Sequence, residues 1–198
     1  MNCLTFCSET HTYTLNGTPI PCVSDLCRFL HREVYRDAPK SAMELAAYRG
    51  TAVHTAAEVL DNTGAAEIEG DYAPYLTGYA DFLKSHNILW TLIEKPLYHP
   101  RLHYAGTVDR YGLVDGKWTL VDLKTTHTLQ KHLCRAQLNF YRLMLIARGL
   151  PVERMAILHL RKDKPARLVT VEEDEPLALA LLTLHNALKK GKKGVPHV

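Results

Sequence analysis

No stretch of 18 uninterrupted apolar residues occurs in the 198-residue chain, so nothing in it reads as a membrane-spanning helix. The opening Met-Asn-Cys-Leu-Thr-Phe-Cys has no basic region followed by an apolar run, which excludes a secretory signal there. The expectation is a soluble, cytoplasmic protein without a membrane partner. Cysteines are few and odd in number: Cys3, Cys7, Cys22, Cys27 and Cys134 form no paired C-x-x-C spacings, which argues against a disulfide framework. Four of the five lie within the first 27 residues, so a zinc or iron–sulfur site stands as the alternative to scattered reduced thiols. A Walker A pattern is absent, and any unwinding motor would have to be another polypeptide. Internal repeats and long low-complexity linkers are absent too.

What is present is ordinary for a soluble globular protein. Apolar residues make up 46% and charged residues 23%, enough to bury a substantial core without staples. A net charge of +3 permits a nucleic-acid partner without demanding one. Part of it is local, in Lys189-Lys190-Gly191-Lys192-Lys193, which reads either as a solvated chain end or as a phosphate-contacting tail.

Hydrophobic periodicity divides the chain into a helical part over residues 1–88, a sheet core over 89–173 and a C-terminal helix with its basic tail over 174–198, all within one domain. A small hairpin over Thr12 to Pro21 turns at Asn16-Gly17, and Ser24 is the expected N-cap of a short helix through Leu30. Ser41 to Leu60 reads as a long helix, interrupted or closely packed at Gly50, followed by a loop from Asp61 to Gly70. A third helix is expected from Pro74 to Ser85. Strands then follow at Leu89 to His99, His103 to Val114 and Lys117 to Lys124 as an antiparallel meander. A helix over Leu129 to Arg148, strands at Arg154 to Leu160 and Arg167 to Val171, and a helix over Asp174 to Lys190 complete an α/β, α+β-like order of three helices and βββαβ(β)α.

The most informative point is the turn at Asp115-Gly116. A two-residue hairpin there pairs Val114 with Lys117 and sets Asp109 opposite Asp122, in a non-hydrogen-bonded pair with Cα atoms about 4.5 Å apart. Two carboxylates so close destabilise a sheet unless a proton or cation lies between them. Lys124 projects to the same strand face as Asp122. The strand carrying both is apolar on its two faces, as expected for the middle of a covered sheet, where a charge needs a specific partner. The pattern is that of a divalent-metal site for phosphodiester hydrolysis.

Other residues have two readings each. Glu94 is either an exposed residue of an edge strand, as Pro96 suggests, or a third carboxylate for a hard cation. His54 shares a helix face with Glu58 and is either a hydrogen-bonded core histidine or a ligand, in which case imidazole favours manganese over magnesium. Gln137 and Tyr141, one helical turn apart, are either plain surface or a pair that positions water, Lys124 or a phosphate.

Taken in order, Gly50-Thr-Ala-Val-His54, Glu94, Gly106-Thr-Val-Asp109-Arg110, Asp122-Leu123-Lys124 and Gln137-x-x-x-Tyr141 resemble the motifs of the PD-(D/E)XK nuclease superfamily, in its RecB-like and phage exonuclease branches, which include Cas4-type proteins. Val108 stands where the family's "PD" motif has proline, and the C-terminal cysteine trio of the iron–sulfur members is missing. The resemblance implies a restriction-endonuclease-like core, a central mixed sheet flanked by helices with further helices before it. It implies Mg²⁺ or Mn²⁺ held by Asp109, Asp122 and the Leu123 carbonyl with Glu94 or His54. Catalysis would then involve Glu94, Asp109, Asp122, Lys124, Gln137 and Tyr141. Lys124 would orient water and stabilise charge, because an amine of pKa about 10.4 is a poor base at neutral pH. Arg110, Lys131 and Arg135 are candidate phosphate contacts.

The implied substrate is DNA, linear with free ends, in phage or bacterial recombination or repair, within the host cytoplasm if phage-encoded. A recombinase or single-strand-binding protein is the implied partner type, and an oligomer is compatible. Structure-specific or nicking endonuclease action, a noncatalytic nucleic-acid-binding subunit, and RNA as substrate remain open alternatives, because backbone chemistry alone does not identify the sugar.

Overall fold

The two apolar faces expected of the Lys117 to Lys124 strand determine where everything else must pack. In the structure, a computed structural model describing residues 3–192, that strand is the middle one of five. The elements run β1 (Leu4–Cys7), β2 (Thr12–Leu15), β3 (Thr18–Ile20), α1 (Val23–Leu26), α2 (Arg28–Val34), α3 (Lys40–Thr63), a 3-10 turn (Gly70–Tyr72) and α4 (Ala73–Ser85). Then come β4 (Ile88–Tyr98), β5 (Ala105–Val114), β6 (Lys117–Lys124), α5 (Lys131–Ile146), β7 (Arg154–Arg161), β8 (Lys164–Val171) and α6 (Glu175–Lys192). The main sheet has the order β4-β5-β6-β7-β8, with β6 and β7 parallel and every other neighbouring pair antiparallel. Helix α5 supplies the crossover a parallel pair requires. The result is an α+β fold with a central mixed sheet between helices, as expected.

The even-numbered face of β6 buries Leu120 together with Leu138, Phe140 and Met144 of α5 and Leu181 of α6. Its odd-numbered face buries Val121 and Leu123 against Val53 and Ala57 of α3 and Tyr79 and Phe82 of α4. Fully burying a side chain of this size contributes about 1.5–3 kcal/mol, so the centre of the sheet is held rigidly from both sides. Asn139, buried within α5, accepts the Asp174 N–H at 2.7 Å and donates to the Glu172 carbonyl at 3.1 Å, which fixes the start of α6. Among the described residues, no helix is long and apolar enough to cross a membrane.

Several expectations need correction. The N-terminal part holds a third strand, β1, which pairs Phe6 with Tyr13; at four residues it is too short for its alternation to stand out. The first short helix starts at Val23, not after Ser24, because the Asp25 carboxylate accepts the Cys22 N–H at 3.1 Å and caps the turn there. The remaining turns belong to α2. Helix α3 runs past Leu60 to Thr63, where Gly64 ends it with φ 79°, so Asp61 is helical and not part of a loop. Gly50 neither interrupts α3 nor is closely packed, since a Cβ there would meet nothing within 4 Å. Packing does demand a glycine at Gly112: a Cβ would lie 2.1 Å from the Leu89 carbonyl oxygen, where β4 shifts register between Trp90 and Leu92. Of the basic tail, Lys189 and Lys190 are exposed on α6, and Lys193 lies outside the described residues.

Candidate metal centre

The hairpin register runs as expected from Val114–Lys117 to Arg110–Val121, but the ladder opens one step before Asp109 and Asp122. The reason is local. The Asp109 carboxylate accepts the Leu123 N–H at 2.8 Å, taking the donor that the next rung would use. On the other side of β5, edge strand β4 places Glu94 between the pairs Ile93–Arg110 and Lys95–Val108, and so beside Asp109. Glu94 has φ 40°, a left-handed conformation inside a strand that is costly for a non-glycine residue. From above the sheet, His54 on α3 reaches down to both strands. Its Nδ1 lies 3.1 Å from Glu94 Oε1 and 3.6 Å from Asp109 Oδ2, and its Nε2 lies 3.1 Å from the Leu123 carbonyl oxygen.

His54, Glu94 and Asp109 thus offer one ligand atom each within 4.8 Å of one another, geometrically compatible with holding a metal ion. Asp122 and Lys124 line the same cleft of about 430 Å³ without joining that trio. Lys124 Nζ lies 2.6 Å from Asp122 Oδ2, while Asp122 Oδ1 is buried with no hydrogen-bond partner among the described residues. A buried, unpartnered carboxylate oxygen is costly unless something cationic meets it. Together with an imidazole, two further carboxylates and a main-chain carbonyl, it makes an O-rich, N-containing donor set of the kind that holds a divalent metal ion. The residues present therefore fit a hard divalent cation.

A buried scaffold behind Glu94 escaped the sequence reading. Arg110, expected to meet phosphate, is fully buried and is not among the residues lining the cleft. It donates to Asp61 Oδ2 at 2.5 Å, Glu94 Oε1 at 2.9 Å and the Asp109 carbonyl at 2.7 Å, and Tyr79 completes the pair by donating to Asp61. Glu94 Oε1 consequently faces both His54 and Arg110, leaving Oε2 as the oxygen available to a ligand. The helical signal was there: His54, Glu58 and Asp61 are spaced i, i+4, i+7, one face of α3. Gln137 and Tyr141 also line the cleft, with Gln137 donating to the Tyr141 hydroxyl at 3.3 Å. Arg135 pairs with Asp174 at 3.3 Å, and Lys131 is exposed at the start of α5.

Burial and crowded charge shift the protonation of these groups. Burial alone would push the His54 imidazole down, but Asp109 and Glu94 outweigh it and raise it to about 9. Burial also raises Asp109, with the His54 charge acting against it. Asp122 rises to about 6, through burial and the repulsion of Asp109, against the pull of Lys124. Lys124 is held above its ordinary value, because Asp122 and Asp109 overcome the effect of its burial. Tyr141 stays well above 10, through burial and the nearby Asp109 and Asp122 carboxylates.

Both Asp122 and His54 have folded values above their unfolded ones, so each contributes stability at low pH that is lost as pH rises, through about 6 and about 9 respectively. A divalent cation replaces those protons with its own charge. The thermal upshift given by Mn²⁺ is therefore expected to be small at pH 5 and to grow steadily to pH 8, with apparent affinity rising roughly tenfold per pH unit where one proton is displaced. Differential scanning fluorimetry across that range measures it, and a pH-independent upshift would show that these groups are not where the cation binds.

No family model and no curated protein matches this chain. Among solved structures, the crystal structure of SSO0001 is similar with a TM-score of 0.43 and 17% identity, over 84% of this chain and 74% of that one. A likeness at that level transfers neither activity nor site.

Proposed function

We propose that this chain is a divalent-metal-dependent deoxyribonuclease of the PD-(D/E)XK kind, acting on linear DNA as an exonuclease. The observation that carries the reading is the convergence of His54, Glu94, Asp109, Asp122 and Lys124, from α3 and three adjacent strands, on one cleft. Supporting it, the order and spacing of these residues and of Gln137 and Tyr141 resemble that superfamily's motifs.

His54, Glu94 and Asp109 would hold the cation, with Asp122 Oδ1 and the Leu123 carbonyl as further oxygen donors on the adjoining strand. When bound, the cation supplies Lewis acidity toward the scissile phosphate and lowers the pKa of a coordinated water. The protein's own groups do the rest. Asp109 is anchored by the Leu123 N–H, and Glu94 is oriented by Arg110, so the ligands are preorganised on rigid strands. Lys124, kept protonated by Asp122, offers a fixed positive charge to the attacking water and to the charge developing on the phosphoryl oxygens. Tyr141 remains a neutral hydroxyl donor.

Incubation of the protein with end-labelled linear DNA and covalently closed circular DNA, in EDTA, Mg²⁺ or Mn²⁺, tests the reading, with Asp109→Asn as control. Loss of the linear substrate alone, dependent on metal and abolished by the substitution, is the expected result. Cutting of the circle would replace exonuclease with endonuclease action, and no cutting of either would overturn the enzymatic reading.

A further inference from the structure

The wall of the cleft facing the metal centre is aromatic and comes from the N-terminal sheet, which no part of the proposed chemistry uses. Phe6 of β1 and Tyr13 of β2 are cross-strand partners with rings stacked at 4.6 Å and 28°. His11, at the end of the turn between those strands, stands edge-on to Phe6 at 5.3 Å and 87°. All three line the same cleft as His54, Asp109 and Lys124. Tyr13 is buried and its hydroxyl is hydrogen-bonded to Thr107 Oγ1 at 2.7 Å, which ties the N-terminal sheet to β5 two residues from Asp109. Phe6 is half-buried and His11 exposed, so they form a corner of two perpendicular rings, rigidly backed and open to the cleft. His11 takes a left-handed backbone conformation, φ 51°, at this position.

We propose that Phe6 and His11 form a base-stacking corner, and that the cleft accepts a strand of DNA whose bases are unpaired where it enters. The inference rests on the nuclease reading of the cleft and adds the form of the substrate. A base inside a duplex has both ring faces covered by its neighbours and a terminal pair offers only its flat outer face, so a corner of two perpendicular rings matches a base that has left the stack. A cleft of about 430 Å³ is of the size that takes a small ligand, on the order of one or two nucleotides. Stacking on an aromatic side chain is tolerant of sequence, because every base has a π-face. The corner would therefore select strandedness without selecting sequence.

The test is equilibrium binding, in Ca²⁺, of fluorescently labelled oligothymidylate, of the same strand with abasic residues at its terminal positions, and of a blunt duplex. Cleavage of the same oligonucleotides in Mn²⁺ is measured separately. Phe6→Ala is expected to weaken binding of the intact single strand about tenfold, the scale of one lost aromatic stacking contact, and to leave binding of the abasic strand unchanged. His11→Ala, at an exposed position outside the paired strands, is expected to act in the same direction, and Phe6→Trp to restore binding. Equal weakening of intact and abasic strands by both alanine variants would overturn the stacking corner, as would tighter binding of the blunt duplex than of the single strand. Base-dependent binding without any cleavage in Mn²⁺ would retain the corner and overturn the nuclease, whereas cleavage with base-independent binding would do the reverse.

Discussion

Arg110→Ala is expected to cost on the order of 3–5 kcal/mol of stability, the price of leaving a buried carboxylate without its counter-charge. Both partners are inaccessible, with side-chain exposures of 0% for Arg110 and 1% for Asp61. Removing the guanidinium also takes a donor from Glu94 and from the Asp109 carbonyl. For a chain of this length that loss lowers the melting temperature by about 6–20 °C. Replacing both partners with apolar residues of similar volume, Asp61→Leu with Arg110→Met, should recover much of the stability, because no charge is then left unpaired. It should not recover metal affinity, since Glu94 Oε1 would retain only His54 as a neighbour and could turn away from Asp109. Thermal melts with Mn²⁺ titrations by calorimetry separate the two effects. A single variant that melts within 2 °C of the parent, or a double variant that binds Mn²⁺ normally, would refute the idea that this pair is the foundation of the site.

That pair marks the boundary of what the amino-acid pattern reveals. The Asp115-Gly116 turn, with apolar strands on both sides, specifies a local hairpin register, and β5 and β6 pair in that register as far as Arg110 and Val121. What lies beyond local periodicity was less visible. The position of Glu94 depends on a connection from β4 to β5 whose length does not determine register, and only the folded sheet places it beside Asp109. Arg110 looks in sequence like any surface cation next to an aspartate. Its burial follows from an Asp61 that lies 49 residues away, just past the expected end of α3. Strand β1 was missed because its alternation, Leu4 and Phe6 half-buried with Thr5 and Cys7 exposed, spans only four residues, although they bring Phe6 to the cleft. The opening of the ladder at Asp109 was equally hidden, since a backbone donor captured by a side chain leaves no trace in composition or spacing.

Lys124→Ala is expected to reduce turnover by about 10²–10³, the usual scale for removing one preorganised charge from a transition-state site, while the fold is retained because Lys124 lies at the open end of β6. The variant also leaves Asp122 facing Asp109 without a counter-charge, so the Asp122 carboxyl should titrate above about 6 and metal binding should require a higher pH than in the parent. Lys124→Arg distinguishes the role of the charge from a role in proton abstraction. Asp122 and Asp109 hold the Lys124 ammonium above its ordinary value, so a neutral amine is scarce at any pH where the protein is stable. If the residue acts by charge, the arginine variant should keep a measurable activity, about tenfold below the parent, and the two pH–rate profiles should have the same shape, set by the groups that bind metal. If it acts as a base, the arginine variant should be as inactive as the alanine variant, because guanidinium does not give up its proton in this range. Single-turnover cleavage rates between pH 6 and 9 decide between them, and a dead Lys124→Arg protein that still binds Mn²⁺ would overturn the electrostatic role assigned to this side chain.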